Sequence, residues 1–221
     1  MKKYLDIVNE VHKSPYKLTI VSSGGGTNAI SALLEVPGAS NTILESHIPY
    51  SKESMNSFLN KKPDHYCSLD TCLNMAANAF KKSKQIDTTS KTKYLLGISI
   101  TANLATTYEK KGDHKFFIVV QAYDYTKYLE CYLDKGKRTR EEEEELITAC
   151  VIGLLADSCG FEFSIPNIDE DISIKKVTAE KSWVKLFNNK VGFISNNKSN
   201  PELIFPGSFN PLHEGHIKMK E

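Results

Sequence analysis

The chain has 221 residues, enough for one large domain or for one domain and part of another. Its 28 basic and 27 acidic residues leave it about neutral, which gives no argument for a nucleic-acid partner or a membrane surface. No apolar run approaches a membrane span, and the acid close behind the lysines of Met1-Lys2-Lys3-Tyr4-Leu5-Asp6 argues against a secretion signal, so a cytoplasmic protein is expected. The cysteines Cys67, Cys72, Cys131, Cys150 and Cys159 are odd in number and contain no C-x-x-C pair. They read as small buried hydrophobes in a reducing compartment, and no metal site is expected.

In chain order, Tyr4, Ile7, Val8 and Val11 fall at helical spacing within residues 2–13, and Ser14-Pro15 ends that helix. Leu18-Thr19-Ile20-Val21 reads as a short buried strand. Ser22-Ser23-Gly24-Gly25-Gly26-Thr27 then leads into a helix over Asn28–Leu34, closed by Val36-Pro37-Gly38. A strand that runs through glycines into a helix N-terminus gathers unpaired backbone N–H groups at the positive end of a helix dipole, which makes a small anion cradle. Ser22 and Ser23 stand there as nucleophile or phosphate ligands. The same residues also suit a tight strand-to-helix turn, and they fit neither G-x-G-x-x-G nor the Walker pattern.

Residues 41–50 are extended and end at Pro49-Tyr50. Ser51 caps a short helix with Met55, Phe58 and Leu59 on its apolar side. Ser68 caps a longer helix whose stripe is Leu69, Cys72, Leu73, Ala76, Ala77 and Phe80. The polar stretch 81–93 is expected to be an exposed loop. Strands follow at Tyr94–Thr101, Phe116–Tyr123 and Lys127–Leu133, with turns at Asp113 and Asp134-Lys135-Gly136. Thr139 opens a helix that runs to Gly160. Its acids, Glu141 to Glu145, sit where the dipole favours them and read as a solvated helix start. This order gives an α/β layered domain of about 160 residues with a sheet covered on both faces. Phe161–Lys176 reads as the exit from that domain. A short helix near Trp183 and Phe187, a strand at Val191–Ile194 and the polar linker Ser195–Pro201 come next.

The last twenty residues change character. Leu203-Ile204-Phe205 is a strand, and Pro206-Gly207-Ser208-Phe209-Asn210-Pro211-Leu212-His213-Glu214-Gly215-His216 leads into a helix start. Two histidines at a helix N-terminus, with a glycine between them, can hold a polyphosphate and the charge that builds on a transferring group. Two histidines are too few for a zinc site. The stretch closely resembles the signature of the nucleotidylyltransferase superfamily, Gly-x-Phe-(Asp/Asn)-Pro-x-His-x-Gly-His, at Gly207, Phe209, Asn210, Pro211, His213, Gly215 and His216. The resemblance implies the opening of a truncated Rossmann-like domain that, when complete, uses ATP or CTP with Mg2+. The rest of such a domain is expected beyond Glu221.

That motif directs attention back to the first domain. Val36-Pro37-Gly38-Ala39-Ser40, with Ser23 spaced before it and Tyr50-Ser51 after it, is similar to the C-terminal domain of the competence/damage-inducible CinA family. Ser99-Ile100-Thr101-Ala102 answers to the family's later Ser-(Val/Ile)-Thr-Gly strand end. Members of that family deamidate nicotinamide mononucleotide to nicotinate mononucleotide. The resemblance implies a three-layer α/β/α domain with a mixed sheet over residues 1–165, a linker over 166–201 and the nucleotidylyltransferase start over 202–221. It assigns catalysis to Ser23, Tyr50 and Lys52, and nucleotide or phosphate binding to Ser22, Gly24, Gly25, Gly26, Thr27 and Thr101. No cofactor is implied for this domain, and the expected partners are a small-molecule nucleotide and further copies of the chain.

The departures from the family pattern bear on chemistry. Met55 stands where the family has a lysine, and Ser22 stands where it has a glutamate. Asn103-Leu104-Ala105-Thr106-Thr107 replaces the second glycine-rich loop. A serine hydroxyl needs a base beside it to attack at neutral pH. The expectation is therefore a catalytically degenerate nucleotide-binding or regulatory module. The alternatives are an active nicotinamide-nucleotide amidase using Ser23 and an unrelated α/β domain, which would place Ser23 and Tyr50 far apart.

Overall fold

The computed structural model describes residues 2–108, 111–187 and 189–194. The chain forms two units, Met1–Glu180 and Lys181–Glu221. The first contains α1 (Leu5–Lys13), β1 (Lys17–Ser23), α2 (Thr27–Leu34), β2 (Ile43–His47), α3 (Lys52–Leu59), α4 (Leu69–Ile86), β3 (Leu95–Asn103), β4 (His114–Gln121), β5 (Tyr125–Leu133), α5 (Arg140–Ser158) and β6 (Ile172–Thr178). The described part of the second unit holds α6 (Lys181–Phe187) and six further residues without strand or helix.

The six strands form one mixed sheet in the order β2-β1-β3-β4-β5-β6. β1 lies parallel to both β2 and β3, and from β3 to β6 each neighbouring pair is antiparallel. Alternation along the strands divides the core between the two faces. Leu18, Ile20, Ile98, Ile100, Phe116 and Ile118 pack with α1, α2 and α5. Val21 packs with Met55, Leu59, Met75 and Ala79, and Phe117 and Val119 pack with Cys72 and Ala76, all from α3 and α4 on the other face. This is the expected three-layer α/β/α arrangement. The expected caps form as well. Ser51 accepts from Ser54 N, Ser68 accepts from Thr71 N, and Thr139 closes a reciprocal capping box with Glu142.

Four local expectations are corrected. The stretch 81–93 is not all loop, because α4 continues to Ile86, and Ser83 within it is fully buried, donating to Leu96 O at 2.8 Å. The buried face of α4 is Cys72, Met75, Ala76, Ala79 and Ser83, with Ala77 left exposed. The stripe turns because α4 approaches the backbone of β3 at Gly97. There small residues seat the helix more closely than leucines would. Residues 172–178, placed in the linker, instead pair with β5 as the last strand of the sheet. Val191–Ile194 is not a strand. The nucleotidylyltransferase motif at Gly207, Phe209, His213, Gly215 and His216 lies outside the described residues. Among the described residues no helix is long and apolar enough to cross a membrane.

The segment between α5 and β6 is anchored by charge. Both terminal guanidinium nitrogens of Arg138 donate to the carboxylate of Glu170, a residue only 9 % exposed. This fork holds the Glu170 carboxyl at about 2, well below an ordinary glutamate near 4.3. The folded state therefore binds this proton later than the unfolded chain does. The stability so contributed is complete above about pH 4.3 and is lost as pH falls through about 2. In urea titrations, the stability gap between the wild type and Glu170→Gln is expected to shrink steadily across that window. A gap independent of pH would contradict the pairing.

Candidate functional site

The carboxyl ends of β1, β2 and β3 form the natural crevice of this sheet. β1 is followed by β2 on one side and flanked by β3 on the other, with the intervening helices on opposite faces. Such a switch point leaves space above the strand ends where a ligand can reach backbone groups. Ser23 closes β1 and sits opposite Thr101, two residues before the end of β3.

Ser23 is half-buried, and its hydroxyl donates to the carbonyl of Pro49 at 3.1 Å. The serine is thus brought against the loop that carries Tyr50. Ser23 and the Pro49-Tyr50 segment share one end of the sheet, which disfavours an unrelated fold. The contact has a chemical consequence, however. A nucleophilic serine must hand its proton to a base, and a peptide carbonyl is not one. Tyr50 turns its ring outward and is 72 % exposed. Lys52, also exposed, lies at the start of α3 with its ammonium 5.9 Å from the centre of the Tyr66 ring. Met55, where the resemblance expects lysine, is only 1 % exposed and packs among Val21, Leu59, Met75 and Ala79. The core has closed over that position, and an ammonium there would be desolvated among apolar groups.

Three of the six expected phosphate ligands, Ser22, Gly26 and Thr101, give their donor groups to partners within the protein. The buried Ser22 hydroxyl donates to Gly25 O at 2.5 Å, and the buried Thr101 hydroxyl donates to Tyr66 O at 3.0 Å. Thr27 is exposed at the start of α2. Gly26, the N-cap of α2, gives its N–H to the Glu144 carboxylate at 2.6 Å. The charge that the helix end favours is therefore supplied by the chain itself. Packing explains these glycines. Gly24 has φ +81°, and a Cβ there would lie 2.0 Å from Ala102 O. At Gly25 a Cβ would meet Leu104 Cδ1 at 2.6 Å.

The run Glu141–Glu145 is correspondingly more than a solvated helix start. Glu143 is fully buried, where it accepts from Ala105 N at 2.6 Å and pairs with His114 Nδ1 at 3.0 Å. Glu142 takes the Thr139 N–H at 2.7 Å, and Glu145 accepts from Tyr4 and Lys3. Arg140 donates to Gly24 O at 3.0 Å and to Ala105 O at 3.2 Å, bridging the glycine loop and the β3–β4 loop. Sequence reasoning missed His114, Arg140, Glu143 and Glu144. No spacing rule links a histidine opening a strand to a glutamate 29 residues later, and five like residues in a row do not reveal which of them turn inward. Among the described residues no cluster of histidine, cysteine and acids could hold a metal ion.

No protein-family profile matches the sequence, and no curated protein matches it. Solved structures do resemble it. A CinA superfamily protein from Klebsiella pneumoniae superposes with a TM-score of 0.57 at 12 % identity, covering 72 % of this chain and 96 % of its own. A competence or damage-inducible protein from Enterobacter asburiae gives 0.53 at 16 % identity, covering 71 % and 94 %. A competence damage-inducible protein A, also from K. pneumoniae, gives 0.56 at 13 % identity, covering 69 % and 94 %. At such identities the likeness is one of fold, and the first domain has a CinA-like fold.

Proposed function

We propose that this CinA-like domain has kept the site's position at the strand ends and given up its serine chemistry. It serves as a nucleotide-binding or regulatory module for the nucleotidylyltransferase domain whose opening motif stands at 202–221. One observation carries this reading. The Ser23 proton is committed to a backbone carbonyl, with Met55 buried where a proton-handling lysine would stand. The internal carboxylate on Gly26 supports it, since an incoming anion would have to displace Glu144. The alternative, an active nicotinamide-nucleotide amidase, draws on the approach of Ser23 to the Pro49-Tyr50 loop. It would require Lys52 and Tyr50 to swing inward. Calorimetric titration of the whole chain with nicotinamide mononucleotide, nicotinate mononucleotide and ATP tests the proposal. Saturable binding of at least one, with the ligand recovered intact, is expected. Absence of heat with all three would overturn nucleotide binding, and recovery of nicotinate mononucleotide from the amide would overturn the loss of chemistry.

A further inference from the structure

A cavity of about 490 Å³ opens where β5 and β6 face the second half of α5 and the segment that follows it. Leu154, Phe161, Phe163, Ile165 and Ile174 give it apolar walls, and Lys127 brings an ammonium to it. Gly153 seats the segment 161–165 directly against α5, since a Cβ there would meet Ile165 Cγ1 at 2.8 Å. Lys127 lies three strands over from β1 and at the register of Ile20, so neither the serine loop nor the start of α5 borders this space. The volume suits a small metabolite.

The lysine breaks the pattern of its strand. The inward positions of β5 are Lys127, Leu129, Cys131 and Leu133, and Lys127 is buried with the others, at 8 % exposure. An ammonium has three protons to donate. Among the described residues Asp157 is the one acceptor that Lys127 meets, and the Asp157 side chain is itself 60 % exposed. Lys176 stands opposite Lys127 in the β5–β6 register and adds a like charge. Burial, and then Lys176, hold the Lys127 pKa below the usual lysine range, so Asp157 does not offset the water that the ammonium has lost. Glu162, also on the wall, is exposed. A ligand that completes this wall brings a carboxylate to the unused ammonium protons and an apolar body to the side chains around them. One ammonium among apolar groups balances one negative charge, and a phosphate dianion would leave a second charge unpaired there.

We propose that this cavity binds a small monocarboxylate with an apolar body, its carboxylate on Lys127 and its ring or hydrocarbon among Phe161, Phe163, Ile165 and Ile174. The site is independent of the reading of the serine loop. Calorimetric titration of the full chain with 3-phenylpropanoate, phenylalanine, 3-phenylpropanol and acetate tests it. The first two carry the same carboxylate on the same ring, and they separate a plain acid from an amino acid, whose ammonium would face Asp157. At least one of them is expected to bind about tenfold or more tighter than the alcohol or acetate, and Lys127→Met should weaken it about tenfold. The Ile165 and Ile174 methyl resonances of the wild type should move over the same concentration range as the ring arrives. Methionine fills the place of the lysine stem and leaves only the exposed Asp157 without its partner, so the variant is expected to fold. The selectivity and the methyl shifts of the wild type test the site without the variant. A bound acid with unmoved Ile165 and Ile174 methyls, or with affinity unchanged in Lys127→Met, would overturn the proposal. The alcohol or acetate binding as tightly as the acids would also overturn it, as would no saturable binding of either acid.

Discussion

Gly97→Ala is expected to destabilise the first domain by about 3 kcal/mol or more. At that position a Cβ would lie 2.2 Å from Phe80 N and 2.4 Å from Ala76 O, both backbone atoms of α4. A clash with a flexible side chain is relieved by rotation. A clash between a strand and a helix backbone is relieved only by moving α4, which carries Cys72, Met75, Ala76 and Ala79 into the core. A loss of that size corresponds to a fall in Tm of roughly 6–12 °C for a domain of this length. Gly136→Ala is the matching control. Gly136 has φ +76° and nothing within 4 Å of a Cβ, so only backbone strain of about 1 kcal/mol is expected. Urea unfolding followed by circular dichroism measures both. A Gly97→Ala protein as stable as the control would show that α4 does not rest on the β3 backbone.

Glu143→Ala is expected to cost about 3–5 kcal/mol. The side chain is fully buried, and its removal leaves the Ala105 N–H and the His114 Nδ1–H without acceptors beside a new void. Glu143→Gln keeps one acceptor oxygen and most of the volume, so its cost should be about half as large. The same truncation at Glu141, which is exposed, should fall within about 0.5 kcal/mol of the wild type. Equal effects at 141 and 143 would restore the solvated-helix reading of the acidic run.

The first domain was largely legible in the sequence because its local signals agree with one another. Ser51, Ser68 and Thr139 each mark a helix start with a side chain that caps it, and Gly160 ends α5 in the left-handed region, at φ +86°. The element order through α5 follows from these marks and from the apolar runs between them. The rest was hidden by tertiary choices. α4 looks amphipathic about Leu73 and Ala77, yet the close approach at Gly97 selects the face with Ala76 and Ala79. β6, Ile172-Ser173-Ile174-Lys175-Lys176-Val177-Thr178, is a sheet-edge strand with much of its surface in water, so its polar residues resemble linker.

The site was legible in part. Spacing linked Ser23 to Tyr50, and the structure sets Ser23 against the Pro49-Tyr50 loop. Spacing did not reveal that Glu144 from α5 would occupy the Gly26 N–H, because that contact joins residues 118 apart. The glycines that suggest room for a phosphate are also the glycines that let Ala102, Leu104 and Ile100 pack against the loop. Composition does not distinguish a cradle left open for a ligand from one closed by the fold.

The central claim is that Ser23 no longer acts as a nucleophile. Ammonia released from nicotinamide mononucleotide by the whole chain, measured beside Ser23→Ala, tests it most directly. The substitution removes one hydrogen bond to Pro49 O, worth about 1 kcal/mol, so the variant should remain folded and the comparison clean. The expected result is the same background rate for both proteins. Release by the wild type that falls by several orders of magnitude in Ser23→Ala would show an active serine and contradict the account.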